Sequence, residues 1–158
     1  LKNLSEADYS EAVNILQHLI LVTDIANHCK EMPEMKELVG NFDKTKKSDQ
    51  YHLIGLMMTC CDLNQVTKPH DVSLQICDLI YEEFHEQGDH EKQCGHKPIP
   101  MMDRDQSNRP KEQIGFIQFL AMPAFSLLTQ LIPETQPNVD NIEKLLEYWN
   151  EQAKLVNQ

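Results

Sequence analysis

Along almost all of this chain apolar residues recur at intervals of three and four, and no stretch alternates apolar with polar long enough to make a half-buried strand. A period near 3.6 puts such residues on one side of a helix, so burial has to come from helix packed on helix. The expected fold is an all-α helical bundle. Its 158 residues suffice for one domain with its own core and fall short of two.

Prolines, glycines and capping residues divide the pattern. Ser5 with Asp8 opens a first helix, a capping box with Asp in place of Glu. That helix takes in Val13, Leu16, Leu19, Ile20, Ala26 and Cys29 and stops at Pro33. Pro33 opens a short helix with Met35, Leu38 and Val39, which Gly40 ends. The polar run NFDKTKKSDQ reads as a loop. Ser48 or Asp49 caps the next helix, through Leu53, Leu56, Met57, Cys60 and Cys61, and Thr67-Lys68-Pro69 breaks it. Asp71 caps another, with Val72, Ile76, Leu79, Ile80 and Phe84, ending near Gly88. Residues 88–109 form the longest expected loop. Pro110 opens a helix through Leu128 with a kink at Pro123, and Asn138 starts a last one that buries Ile142, Leu145, Leu146 and Trp149.

Charge and cysteines narrow the partners. With 14 basic and 25 acidic side chains the net charge is −11, which repels nucleic-acid phosphates and suits an anionic membrane surface poorly. No apolar run approaches the ~20 residues of a membrane span, so membrane association is not indicated. Five cysteines, an odd number with Cys60 and Cys61 adjacent, read as reduced thiols of a cytoplasmic protein. Leu1 is neither an initiator nor part of a signal pattern, and the chain is expected to be cut from something longer.

Few residues carry a chemical signal by themselves. The segment HEQGDHEKQCGH holds His85, His90, Cys94 and His96, but its spacing matches none of the usual zinc patterns and a solvated loop explains it. Asp24 and His28 share a helix face, ordinarily a pairing worth a few tenths of a kcal/mol. Met57-Met58 and Met101-Met102 read as core filler or pocket lining. The stretch MMTCCDL closes a long apolar run with Asp62, a carboxylate carried into what reads as core, at a helix end where the dipole is unfavourable for an anion. Solvent, a base such as Lys68, or a metal ion are three ways of neutralising it, and the residue types alone leave all three open.

The run TCCDLNQVTKP resembles the catalytic domain of the class I cyclic-nucleotide phosphodiesterases. Four more segments are similar in the family's order: LILVTDIANH, LIYEEFHEQGDHE, PMMDRD and QIGFIQFLAMP. AMPAFSLLTQLIP, with MMDRD, looks closest to the cGMP-stimulated, dual-specificity subclass. The resemblance implies that residues 1–158 are the C-terminal part of an all-α catalytic domain whose upstream metal-binding half is absent. It implies hydrolysis of cAMP and/or cGMP to the 5′-monophosphate with two divalent metal ions, zinc plus magnesium or manganese.

Residue by residue, the resemblance makes Asp62 a metal ligand and Gln113 the amide that reads the purine edge. Phe116 matches the ring that stacks on the base, and Ile80, one turn before Phe84, the opposite jaw. Ile25, His28, Thr59, Leu63, Tyr81, Phe84, Met101 and Leu120 fall at pocket-lining positions. The family's His-Asn-x-x-His segment and its His-Asp pair have no counterpart here, so these residues alone are expected to be inactive. A homodimer is compatible with this reading. The rival expectation is a catalytically silent helical binding module.

Overall fold

A computed structural model describes residues 2–156, and among them there are seven α-helices and no strand, which is the all-α architecture that the periodicity requires. The chain divides into two compact units, residues 1–63 with 124–135, and residues 64–123 with 136–158.

In the first unit α1 (Glu6–Leu21) is capped as expected: the Ser5 hydroxyl accepts from the Asp8 amide at 3.2 Å and donates to its carboxylate at 2.6 Å. It stops at Leu21 instead of running to Pro33. Asp24 is the reason, because its Oδ1 accepts from the Ala26 amide at 2.9 Å and starts α2 (Ile25–Asn41). Asp24 is thus committed to a cap. Pro33 lies inside α2 and neither stops nor starts a helix. The carbonyl deprived of a donor belongs to Cys29, an exposed residue, so its loss leaves no buried acceptor unpaired.

Helix α3 (Lys47–Asp62) begins before both predicted caps. Asp49 is buried and accepts from the Asp43 amide at 3.0 Å and the Ser48 hydroxyl at 2.9 Å, so it ties the preceding loop together. Both α1 and α2 pack on α3, and the core of this unit includes Val22, Met35, Leu56, Cys60, Leu63, Phe125 and Leu128. Helix α1 itself buries no residue fully.

The second unit opens with a 3₁₀ turn, Asn64–Thr67, and α4 (His70–Gln93), whose cap position is Pro69 and not Asp71. Gly88 was expected to end this helix. The helix runs through it because the glycine meets a crossing backbone: a β-carbon at Gly88 would lie against the carbonyl oxygen of Met102 and 2.7 Å from its carbonyl carbon. The stop comes at Gly95, with φ of 81°, where Gly95 N–H donates to Lys92 O and His96 N–H to Glu91 O, the paired bonds of a Schellman cap. The expected 88–109 loop therefore begins only after Gln93 and contains a 3₁₀ turn, Pro100–Met102.

Asp103 locks that connection. It is buried, and its carboxylate accepts from Lys92 Nζ at 2.5 Å, the Asp105 amide at 3.0 Å and Gln106 Nε2 at 2.7 Å. These donors, the Lys92 ammonium first, hold its pKa down at about 2. Its folded value lies below the ordinary 3.8, so its contribution to stability is present above that pH and is lost as the pH falls toward about 2. Denaturant titrations at pH 5 and pH 2.5 are expected to show a smaller loss for Asp103→Asn than for the parent chain. Equal losses would mean that the carboxylate does not hold the loop.

Helix α5 (Arg109–Phe116), a π-helical turn Ile117–Ala121 and α6 (Met122–Leu131) follow without a break. The π turn sits just before Pro123, whose ring crowds the carbonyl four residues back, and the wider turn is the form that the expected kink takes. Arg109–Leu131 is a 23-residue helix of hydropathy 1.5, long and apolar enough to cross a membrane. The sequence reading missed this because polar residues interrupt the run. Ile117, Leu120, Ala121, Ala124, Phe125, Leu127 and Leu128 on it are buried, as in a core helix. Helix α7 (Gln136–Val156) starts two residues before Asn138 and buries Val139, Ile142, Leu145 and Trp149, while Leu146 is only half-buried. In this unit α5 and α4 both pack on α7.

Candidate functional site

Of the residues singled out in the sequence, Ile80, Tyr81, Phe84, Met101, Gln113, Phe116 and Leu120 belong to the second unit. Asp62, Leu63, Ile25, His28 and Thr59 belong to the first.

Gln113 is the centre of the second group. A side-chain amide is costly to bury without partners, yet Gln113 is only 7% exposed. Local sequence explains how it is held. Asn108 caps α5, its Oδ1 accepting from the Lys111 amide at 3.2 Å, and its own amide donates to Glu112 Oε1 at 2.9 Å. The other oxygen of Glu112 accepts from the Tyr81 hydroxyl at 2.9 Å and the Ser107 hydroxyl at 3.1 Å. Tyr81 is 1% exposed, and the Gln113 side chain is near enough to act on its hydroxyl. Burial pushes the Tyr81 phenol well above its ordinary pKa, with the Gln113 side chain opposing and the Glu112 carboxylate reinforcing, so it stays a neutral donor.

A cation closes the other side of this tyrosine. The Arg109 guanidinium lies 4.7 Å from the Tyr81 ring centroid and pairs with Asp78. Sequence reasoning missed Glu112, Asp78 and Arg109. The Asn108 to Glu112 spacing was the available signal for a cap, but the 31-residue separation between Tyr81 and Glu112 hides their contact.

The apolar candidates lie on α4, the 3₁₀ turn, α5 and the π turn of the same unit. Phe116 is one turn beyond Gln113 and half-buried, and Leu120 is buried on the π turn. Ile80 and Phe84 are one turn apart on α4 and half-buried, and the Phe84 ring centroid is 6.0 Å from that of Tyr81. Met101 sits on the 3₁₀ turn that packs on α4. An open groove of about 390 Å³ runs along α4 beside Phe84 and Met102, rimmed by Glu83, Glu86, Gln87 and His90. Phe84 is the one predicted pocket residue in its lining.

In the first unit Asp62 is the last residue of α3 and is exposed, contrary to its reading as a carboxylate carried into the core. The helix turns Thr59, Cys60 and Leu63 inward and leaves Cys61 and Asp62 outside. Burial, then the neighbouring Cys61, pushes the Cys60 thiol up to about 12, which leaves it a neutral core residue. Among the described residues no three His, Cys, Asp or Glu side chains are arranged to hold a metal ion. Asp62 faces solvent and belongs to no such group. Leu63 and His28 are buried, and Ile25 is 49% exposed. The segment once read as a histidine-rich loop is helical to Gln93, with exposed Cys94 Sγ 3.9 Å from His90 Nε2.

Comparison with known proteins gives this geometry a context. Residues 1–142 match the family model for 3′5′-cyclic nucleotide phosphodiesterase. The probable 3′,5′-cyclic phosphodiesterase pde-5 of Caenorhabditis elegans is 33% identical over 157 residues, covering 98% of this chain and 22% of that protein. The cGMP-specific 3′,5′-cyclic phosphodiesterase of Drosophila melanogaster is 34% identical, over 97% of this chain and 14% of its own length. The chain therefore spans about a fifth or less of these relatives. The solved structure of LmjPDEB1 in complex with IBMX superposes with a TM-score of 0.89 and 31% identity, over 97% of this chain and 47% of that one.

Proposed function

Since this chain belongs to the 3′5′-cyclic nucleotide phosphodiesterase family, we propose that it supplies the base-recognition pocket and one metal ligand for hydrolysis of cAMP or cGMP to the 5′-monophosphate. The observation that carries this reading is the buried Gln113 side chain beside Tyr81, whose hydroxyl Glu112 fixes, with Phe116 one turn away. A purine is apolar on its faces and polar at its edge. An aromatic ring beside a fixed amide answers both. The names of the Drosophila relatives support cGMP as a substrate.

Divalent metal ions belong to this reading as Lewis acids toward the cyclic phosphate. The residues present fit that role only in part. Asp62 offers one oxygen ligand pair, and a catalytic zinc needs about three protein ligands. The described residues do not complete such a set, so no step of the reaction is assigned to them. Their part is to bind and orient the nucleoside. A cytoplasmic location goes with this proposal, supported by the thiol state of the cysteines.

Calorimetric titration of the chain with cGMP and with cAMP tests the pocket. Gln113→Ala is expected to weaken binding about tenfold or more through the lost amide contact with the purine edge. Phe116→Ala is expected to do so by a similar factor through lost stacking. Unchanged affinity in both variants would remove the nucleotide pocket from the reading.

A further inference from the structure

Three histidines from three helices, one of them the predicted pocket residue His28, converge on a small cavity in the first unit, where no nucleotide contact has been assigned to His18 or His52. His18 of α1, His28 of α2 and His52 of α3 line it, and Glu31 of α2 is the one further ionisable side chain in its wall. The segment 124–135 contributes no lining residue. The cavity measures about 10 Å³, room for a single water at most.

The three imidazoles are not equivalent. His18 is engaged, its Nε2 lying 2.9 Å from the Tyr51 carbonyl oxygen. Gly55 makes space for that ring, since a β-carbon there would stand 3.0 Å from the same nitrogen. His28 Nε2 and His52 Nδ1 are both buried without a hydrogen-bond partner, and His28 as a whole is 6% exposed. A neutral imidazole with a buried, unpartnered nitrogen is tolerable. An imidazolium in that place needs an acceptor or fuller hydration, and neither free nitrogen is hydrogen-bonded to Glu31, the one carboxylate in the wall.

We propose that the cavity between His18, His28 and His52 is a proton-operated latch, closed while the His28 imidazole is neutral and forced open when acidification protonates it. Opening would act on α3 and hence on the turn that carries Asp62. Thr59, in the same wall, shares its hydroxyl proton between the Gly55 carbonyl of α3 at 3.2 Å and the Val22 carbonyl at the end of α1 at 3.3 Å.

The direction of the effect follows from burial. Desolvation holds His28 below its ordinary 6.5, with the charge of Glu31 opposing in part. The unfolded chain then binds protons that the folded one does not. The latch is at full strength above pH 6.5 and weakens as the pH falls below it.

The test is a titration of the ring carbons of the seven histidines by NMR in the native chain and in urea, combined with unfolding equilibria at pH 7.5 and 5.5. His28 is expected to titrate at lower pH in the native chain than in urea, and His52→Leu to move its midpoint. The unfolding constant is expected to rise from pH 7.5 to pH 5.5, by up to about tenfold from His28 alone, because only the unfolded chain then binds that proton. His28→Leu combined with His52→Leu should remove most of that rise. A His28 midpoint equal in native and unfolded chain overturns the proposal, even if the double variant does not fold. So does a double variant that folds and keeps the full pH dependence.

Discussion

Replacing Asp62 by alanine is expected to lower cyclic-nucleotide turnover about a thousandfold or more in an active phosphodiesterase that contains these residues, with little change in folding. The chemical part of the argument is that a metal acting as a Lewis acid contributes several kcal/mol to stabilising the transition state, and each 1.4 kcal/mol is about tenfold in rate. The structural part is exposure. Asp62 ends α3 facing solvent, and no ion pair among the described residues includes it. Its removal therefore leaves no buried partner unsatisfied, and surface changes of this kind stay within about 0.5 kcal/mol. Metal content and turnover measured beside a thermal melt separate the two effects. Full turnover with undiminished metal in the variant would show that Asp62 holds no ion.

The second large effect concerns stability. Gly88→Ala is expected to destabilise the chain by about 3 kcal/mol, because the added carbon strikes the backbone of Met102 and backbone does not move aside as a side-chain tip does. The displaced segment is the Pro100–Met102 turn, so the damage reaches Met101, one of the proposed pocket residues. Gly40→Ala makes the control. It lies within α2 with nothing within 4 Å of its added carbon, and alanine there is expected to stabilise by about 0.5–1 kcal/mol. Urea unfolding of both variants gives the comparison. A Gly88→Ala midpoint equal to that of the parent would mean that the helix and turn part without cost.

These two glycines also mark what could be read from sequence. Helical periodicity gave the all-α class, and the Ser5 cap was local enough to be legible. Gly88 looked like a helix stop because the sequence cannot display the turn that crosses it. Pro33 looked like a break because the cap that decides the boundary, Asp24, was being considered as a partner for His28. Asp62 looked buried because Cys60 and Cys61 are apolar, although the helix turns only the first of them inward. The candidate pocket divides the same way. Gln113 and Phe116 stand out in a motif, whereas Glu112, Arg109 and Asp78 act through Tyr81, a contact made between helices far apart in the chain.

Glu112 gives one carboxylate two duties. One oxygen closes the first turn of α5 on the Asn108 amide, and the other receives the Tyr81 hydroxyl that lies beside Gln113. Fraying of that helix end and loosening of the amide are therefore one event, governed by a single equilibrium. Any ligand that selects the ordered amide must also select the ordered helix end, so affinity at the pocket and the order of α5 are thermodynamically linked, each setting a limit on the other.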